Sequence, residues 1–317
     1  MILAWTVAAL AAAGVLWLFL NARSYVARAE ARWPPIGRFI EADGLKLHIV
    51  ERGAEGAPAL LFLHGANANA REFLPLAEEL AADHRVLVID RPGYGYSGMR
   101  RGAQKIAAQA QVAARALESI ADAPAIVVCH SLGAGVGLRL ALDHPQLVRG
   151  LVLIAPASHP YPGGNAWWTK LAANLITGPL FNPIVAAVGP AASRGAIANT
   201  FHPAPAPEDY YEEAAVGLTF RPAAFRACAR EVAATKREYA LQAPRYCDID
   251  APAIVITGDV DRVVSPKLHA RGLARDLTSV ELVTLPGAGH MPHRTRPDAV
   301  IKAIARVAHI EAARSVL

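Results

Sequence analysis

The chain has 317 residues, 53% of them hydrophobic, and its 32 Lys and Arg against 27 Asp and Glu give a formal charge of +5. Such a chain buries a large core and suits one substantial α/β domain with an insertion better than two independent domains. The basic residues are mostly scattered singly, with no Lys/Arg block interleaved with aromatics, which argues against nucleic-acid binding. The three cysteines, Cys129, Cys228 and Cys247, form no C-x-x-C pair and lie near no metal-spaced histidines, so they imply no disulfide framework.

Residues 2 to 20 carry no charge over about the length that spans a hydrocarbon core as a helix. Residues 1–22 read as a membrane anchor. No Lys or Arg precedes the apolar run, which argues against a cleaved secretory signal, although Ala27-Arg28-Ala29 offers a small-x-small site downstream and leaves export as the alternative. Arg23, Arg28 and Arg32 all follow the run, and the positive-inside bias then places the globular part in the cytoplasm. Residues 23–37 read as a linker, stiffened by Trp33-Pro34-Pro35.

Residues 38–158 form the first part of a core. Arg38 to Ala42 and Leu45 to Glu51 flank Asp43-Gly44, the strongest hairpin signal in the chain. Ala59 to Leu63 is a fully apolar strand ending in the turn His64-Gly65-Ala66-Asn67, and a helix covers about residues 71–82. Val86 to Ile89 is the next strand, running into Asp90-Arg91-Pro92-Gly93-Tyr94-Gly95-Tyr96-Ser97, a turn dense in Gly and Pro. A helix from about Ile106 to Ala121 follows.

The chain is organised around Ala125 to Gly137. A β-branched run breaks at Ser131 and restarts as a helix in which Gly133, Gly135 and Gly137 permit close packing on the sheet. So abrupt a strand-to-helix turn requires small residues two places to either side of the serine; they are Cys129 and Gly133. Cys129 reads as a small buried residue under the turn, and His130 as structural. The turn lifts the Ser131 hydroxyl clear of the sheet and aims the Leu132 N–H and the helix N-terminus at the point where an oxyanion would form.

This is the G-x-S-x-G nucleophile elbow with cysteine at its first glycine, and it resembles the α/β-hydrolase family. The resemblance covers about residues 38–310. It implies that the His64-Gly65 turn supplies a second oxyanion donor, the Ala66 N–H, and that the Asp90 to Ser97 octapeptide shapes the rim of the site. Leu151 to Ile154 is a further buried strand, and strands and helices alternate to that point as in a doubly wound parallel sheet.

Residues 159–247 break the alternation. They hold helical patterns interrupted by prolines and read as a helical cap covering the serine. Trp167, Trp168, Leu171, Leu175, Ile176, Leu180, Phe181, Ile184, Val185 and Val188 give it an apolar surface. Two adjacent tryptophans cannot face one way, so one is free for the pocket or a membrane interface.

Residues 248–317 complete the core, with strands at Ala253 to Thr257 and Val280 to Leu285. The fold class is therefore α/β, a mostly parallel eight-stranded sheet with a helical cap and an N-terminal membrane helix. After the first of these strands come Asp259 and Asp261, and after the second Gly287-Ala288-Gly289-His290. A hydroxyl nucleophile needs a base and a carboxylate that fixes the base's tautomer. Ser131, an acid and His290 stand in the serine, acid, histidine order of the resembled family. Its Gly-x-x-Asp-x-x-Val pattern implies Asp261 as the acid and leaves Asp259 to cap the turn; His293, read as a surface loop residue, is the fallback base.

The resemblance implies a serine hydrolase acting on a small-molecule ester and needing no metal or organic cofactor; the apolar cap adds an apolar acyl or alcohol part, and the uncharged run at residues 2–20 adds the membrane anchor. Carbon–carbon hydrolysis, thioester hydrolysis, acyl transfer or perhydrolysis on the same triad is the alternative, and a non-catalytic binding relative is the rival from another class.

Overall fold

The computed structural model describes residues 1–121 and 123–314. A helix, α1 (Ile2–Arg32), leads to the hairpin β1 (Arg38–Ala42) and β2 (Leu45–Arg52), then β3 (Ala59–Leu63), α2 (Leu74–Leu80), β4 (Arg85–Ile89) and α3 (Ile106–Ile120). Next come β5 (Ala125–His130), α4 (Leu132–Asp143) and β6 (Val148–Ile154). Four helices intervene: α5 (Trp167–Ala173), α6 (Gly178–Phe201), α7 (Tyr210–Glu213) and α8 (Pro222–Gln242). The chain closes with β7 (Ala253–Gly258), α9 (Ala270–Asp276), β8 (Val280–Leu285), α10 (Pro292–Thr295) and α11 (Pro297–Arg314).

The strands form one eight-stranded sheet in the order β1-β2-β4-β3-β5-β6-β7-β8. β1 and β2 pair antiparallel across Asp43 and Gly44, both at positive φ, the conformation that a tight right-twisted hairpin requires. From β4 to β8 the pairs are parallel. Alternation along the buried strands divides the core: Leu61, Leu63, Val127 and Cys129 face α3 and α4, while Leu60, Phe62, Ile126 and Val128 face α2 and α11. Both faces are therefore dry, and the strands are continuous apolar runs.

The cap spans the gap between β6 and β7, above the strands' carboxyl ends. It is tied down by α8, whose fully buried Tyr239 lies where a Cβ on Gly135 of α4 would be.

One expectation is corrected. The segment read as a linker from residue 23 stays helical to Arg32, and only residues 33–37 are irregular. The physical reason is a stripe at helical spacing: Ala22, Tyr25, Ala29 and Trp33. Ala22, Ala29 and Trp33 are buried, and the Tyr25 hydroxyl donates to the Gly217 carbonyl in the cap at 2.8 Å. Docking on the cap stabilises a helix that its arginines would leave marginal, and Pro34 and Pro35 then end it.

Candidate active site

β5 delivers Ser131 with its backbone at φ 52°, ψ −121°, a conformation that L residues rarely adopt. The turn is held by the Ser131 N–H donating to the Ile154 carbonyl at 3.0 Å and by the Ser131 carbonyl accepting from Ala157 and Ala134, each at 3.0 Å. A Cβ on Gly133 would overlap the Leu63 and His64 carbonyls, so glycine is the one residue that fits there. Beneath the turn, Cys129 is buried with its Sγ against Gly137, and burial raises its thiol pKa far above the ordinary range. It is a packing group.

The loop after β8 carries His290 back over the elbow. Its Nε2 lies 3.1 Å from the Ser131 Oγ and its Nδ1 2.8 Å from the Asp261 Oδ2. With the proton on Nδ1, that nitrogen donates to the carboxylate and Nε2 accepts from the serine hydroxyl. Asp261 is fixed in turn by the N–H groups of Val263 and Val264, which donate to its Oδ1 at 2.7 and 2.9 Å. Asp259 instead accepts the Gly287 N–H at 2.7 Å and caps the turn of the loop that carries His290.

Gly65 packs directly under the serine: a Cβ there would lie 3.0 Å from the Ser131 Cβ and 3.2 Å from the His130 Nδ1. The N–H groups of Ala66 and Leu132 donate to no acceptor among the described residues. Both belong to the two segments that meet at Ser131.

Three histidines crowd the site. The His130 Nε2 donates to the His290 carbonyl at 2.9 Å, so this ring holds the backbone of its neighbour, and burial followed by the adjacent histidines pushes its pKa well below the ordinary value. His293, read from the sequence as a surface residue, is 3% exposed, and its Nε2 meets the Glu72 Oε1 at 2.8 Å. The Glu72 Oε2 accepts from the Tyr210 hydroxyl at 2.7 Å. Burial opposes ionisation of Glu72, but the His293 hydrogen bond and charge outweigh it and hold the carboxyl below its usual range. This core-to-cap chain was missed in the sequence because its members come from segments about 80 to 220 residues apart; a glutamate beside Phe73, just before α2, was the one available signal.

A cavity of about 770 Å³ opens over Ser131 and His290, lined largely by apolar groups that include Trp168, Phe181, Val185 and Phe225. Trp167 also lines it, yet is 69% exposed. A hydroxyl and a ring nitrogen thus meet at the floor of a largely apolar chamber that Ala66 also lines.

The α/β-hydrolase family model matches residues 60–303, and the chain belongs to that family. Its relatives include the 2-(acetamidomethylene)succinate hydrolase of Mesorhizobium japonicum, 28% identical over 276 residues that cover 85% of this chain and 94% of that protein. Among solved structures, a bacterial membrane phospholipase A superposes with a TM-score of 0.63 at 23% identity, covering 96% of this chain and 98% of that one. A thermophilic esterase from Thermogutta terrifontis superposes with a TM-score of 0.68 at 20% identity, covering 87% and 99%.

Proposed function

We propose that the protein is a membrane-anchored serine hydrolase that cleaves carboxylic esters with apolar acyl or alcohol groups. The observation that carries this reading is the hydrogen-bonded run from Asp261 through His290 to Ser131 at the floor of an apolar cavity. His290 Nε2 takes the hydroxyl proton as Ser131 Oγ attacks the ester carbonyl, and Asp261 stabilises the imidazolium. The N–H groups of Ala66 and Leu132 hold the oxyanion, a contribution of ~3 kcal/mol per donor. His290 then gives its proton to the departing alcohol, and water activated by the same imidazole releases the acyl group. The alternatives within the class share these steps and differ in the bond presented to Ser131.

The anchor reading rests on α1, whose first charge after the amino terminus is Arg23 and whose residues 2–17 are exposed. The arginines at 23, 28 and 32 favour a cytoplasmic catalytic domain. Leu175 and Ile176, at the bend between α5 and α6, are 74% and 84% exposed, an apolar surface that suits a bilayer interface.

The test is hydrolysis of p-nitrophenyl esters of rising acyl length by detergent-solubilised full-length protein, with Ser131→Ala, Asp261→Asn and Asp259→Asn. Expected are rates that rise with chain length, disappear in Ser131→Ala, fall on the order of 10³-fold or more in Asp261→Asn and survive in Asp259→Asn. Wild type and Ser131→Ala equally inert on every ester would end the ester reading.

A further inference from the structure

Arg91 is fully buried beside the site and touches none of the groups assigned to the reaction. Its donors are nonetheless spent on the loop that precedes Ala66. The Nε donates to the His64 carbonyl at 2.7 Å and the Nη2 to the Gly65 carbonyl at 3.0 Å. The Arg91 N–H donates to the His64 Nε2 at 3.1 Å, which places the imidazole proton on Nδ1, and that nitrogen donates to the same Gly65 carbonyl at 2.8 Å. Two donors therefore pin one carbonyl oxygen.

The consequence follows from peptide geometry. The Gly65–Ala66 peptide is trans, so its C=O and N–H point in opposite directions. With the Gly65 oxygen drawn toward Arg91 and His64, the Ala66 N–H is turned away from them, and Ala66 and Ser131 both line the cavity. Rotation of this one peptide would remove the donor, and the guanidinium fork opposes that rotation at two successive carbonyls.

Arg91 is itself held by the cap. Its Nη1 meets the Glu231 Oε1 of α8 at 2.5 Å and the Gln109 Oε1 at 2.7 Å. The second Glu231 oxygen accepts from the Tyr94 hydroxyl, and the Gln109 Nε2 donates to Oε1 at 3.0 Å. Glu231 is 1% exposed, so among the described residues the carboxylate that ion-pairs with this buried cation of the core comes from the seated cap.

We propose that Arg91 and Glu231 are positioning residues that aim the Ala66 N–H at the substrate oxyanion and make that aim depend on the cap being seated. The inference rests on the ester-hydrolase reading and goes beyond it in assigning the oxyanion loop a control point in the cap.

The experiment compares full-length wild type with Arg91→Met/Glu231→Leu, which removes both buried charges together and leaves neither unpaired, and with Arg91→Lys, which keeps the charge but loses the two-carbonyl fork. Tm, kcat and KM on a p-nitrophenyl ester are measured with the inhibition constant of a trifluoromethyl ketone that adds to Ser131 as a tetrahedral oxyanion. In whichever variants keep a cooperative transition, kcat is expected to fall on the order of 10- to 100-fold with KM little changed, and ketone affinity to weaken in parallel. A folded variant with wild-type kcat and ketone affinity would overturn the inference, since a purely structural pair would move Tm alone. Loss of activity in Ser131→Ala alongside such a result would leave the ester reading intact, whereas its survival there would remove both.

Discussion

Ser131 sits in a backbone conformation that costs on the order of 1–3 kcal/mol, held by three backbone hydrogen bonds across the elbow. The residues around it show how burial sets protonation. The His64 pKa is lowered to about 4, first by burial and then by the Arg91 charge, and that of His269 also to about 4, by burial and then His159. His269 must stay neutral at Nδ1, which accepts from the N–H groups of Ser158 and His159, each at 3.1 Å. For a histidine whose pKa is lower folded than unfolded, the unfolded chain binds more protons between the two values. Its contribution is therefore complete above about pH 6.5 and is lost as pH falls toward 4, about 3 kcal/mol for a shift of this size. The expected outcome is a Tm that declines with acidification through that window. In His269→Asn, whose Oδ1 accepts the same two N–H groups, the slope of stability against pH should be shallower, checked by denaturant unfolding at a series of pH values.

At the scale of elements, the glycines of α4 separate three contacts that one pattern concealed. Gly133 faces the carbonyls at the end of β3, Gly137 faces Cys129 of β5, and Gly135 faces Tyr239 of the cap helix α8. The sequence showed a helix pressed on a sheet; it could not show that one of the three glycines receives the cap. The cysteine at the elbow's first small position also gains a physical partner, because its Sγ occupies the space that Gly137 leaves. Gly137→Ala should therefore destabilise by about 1–3 kcal/mol through overpacking. Adding Cys129→Gly should return most of that loss, a coupling that a double-mutant cycle in urea would measure.

Over the whole molecule, α1 is two things in one helix. Residues 2–17 project from the protein, whereas Ala22, Tyr25 and Ala29 pack on the cap. On the proposed anchor role of α1, deleting residues 2–17 should move the protein from the membrane to the soluble fraction with Tm within a few degrees of the full chain. Deleting residues 2–32 should lower Tm by several degrees further, because buried surface on the cap is then exposed; carbonate extraction and a thermal scan check the two effects separately.

The sequence by itself determined the sheet, because strands buried on both faces must be apolar runs and the turn at Asp43-Gly44 has few conformations open to it. It also determined that serine, acid and histidine end separate strands of that sheet, since elbow and Gly-rich loops are local patterns within a few residues of each side chain. The tertiary structure alone decided what reaches across the chain: the helical course of residues 23–32, the burial of His293 against Glu72, and the capture of Arg91 by Glu231, 140 residues away. The first and the last depend on a partner brought near by the cap and the second on the loop after β8 folding back over the core, and a buried charge carries no local mark of the charge that will neutralise it.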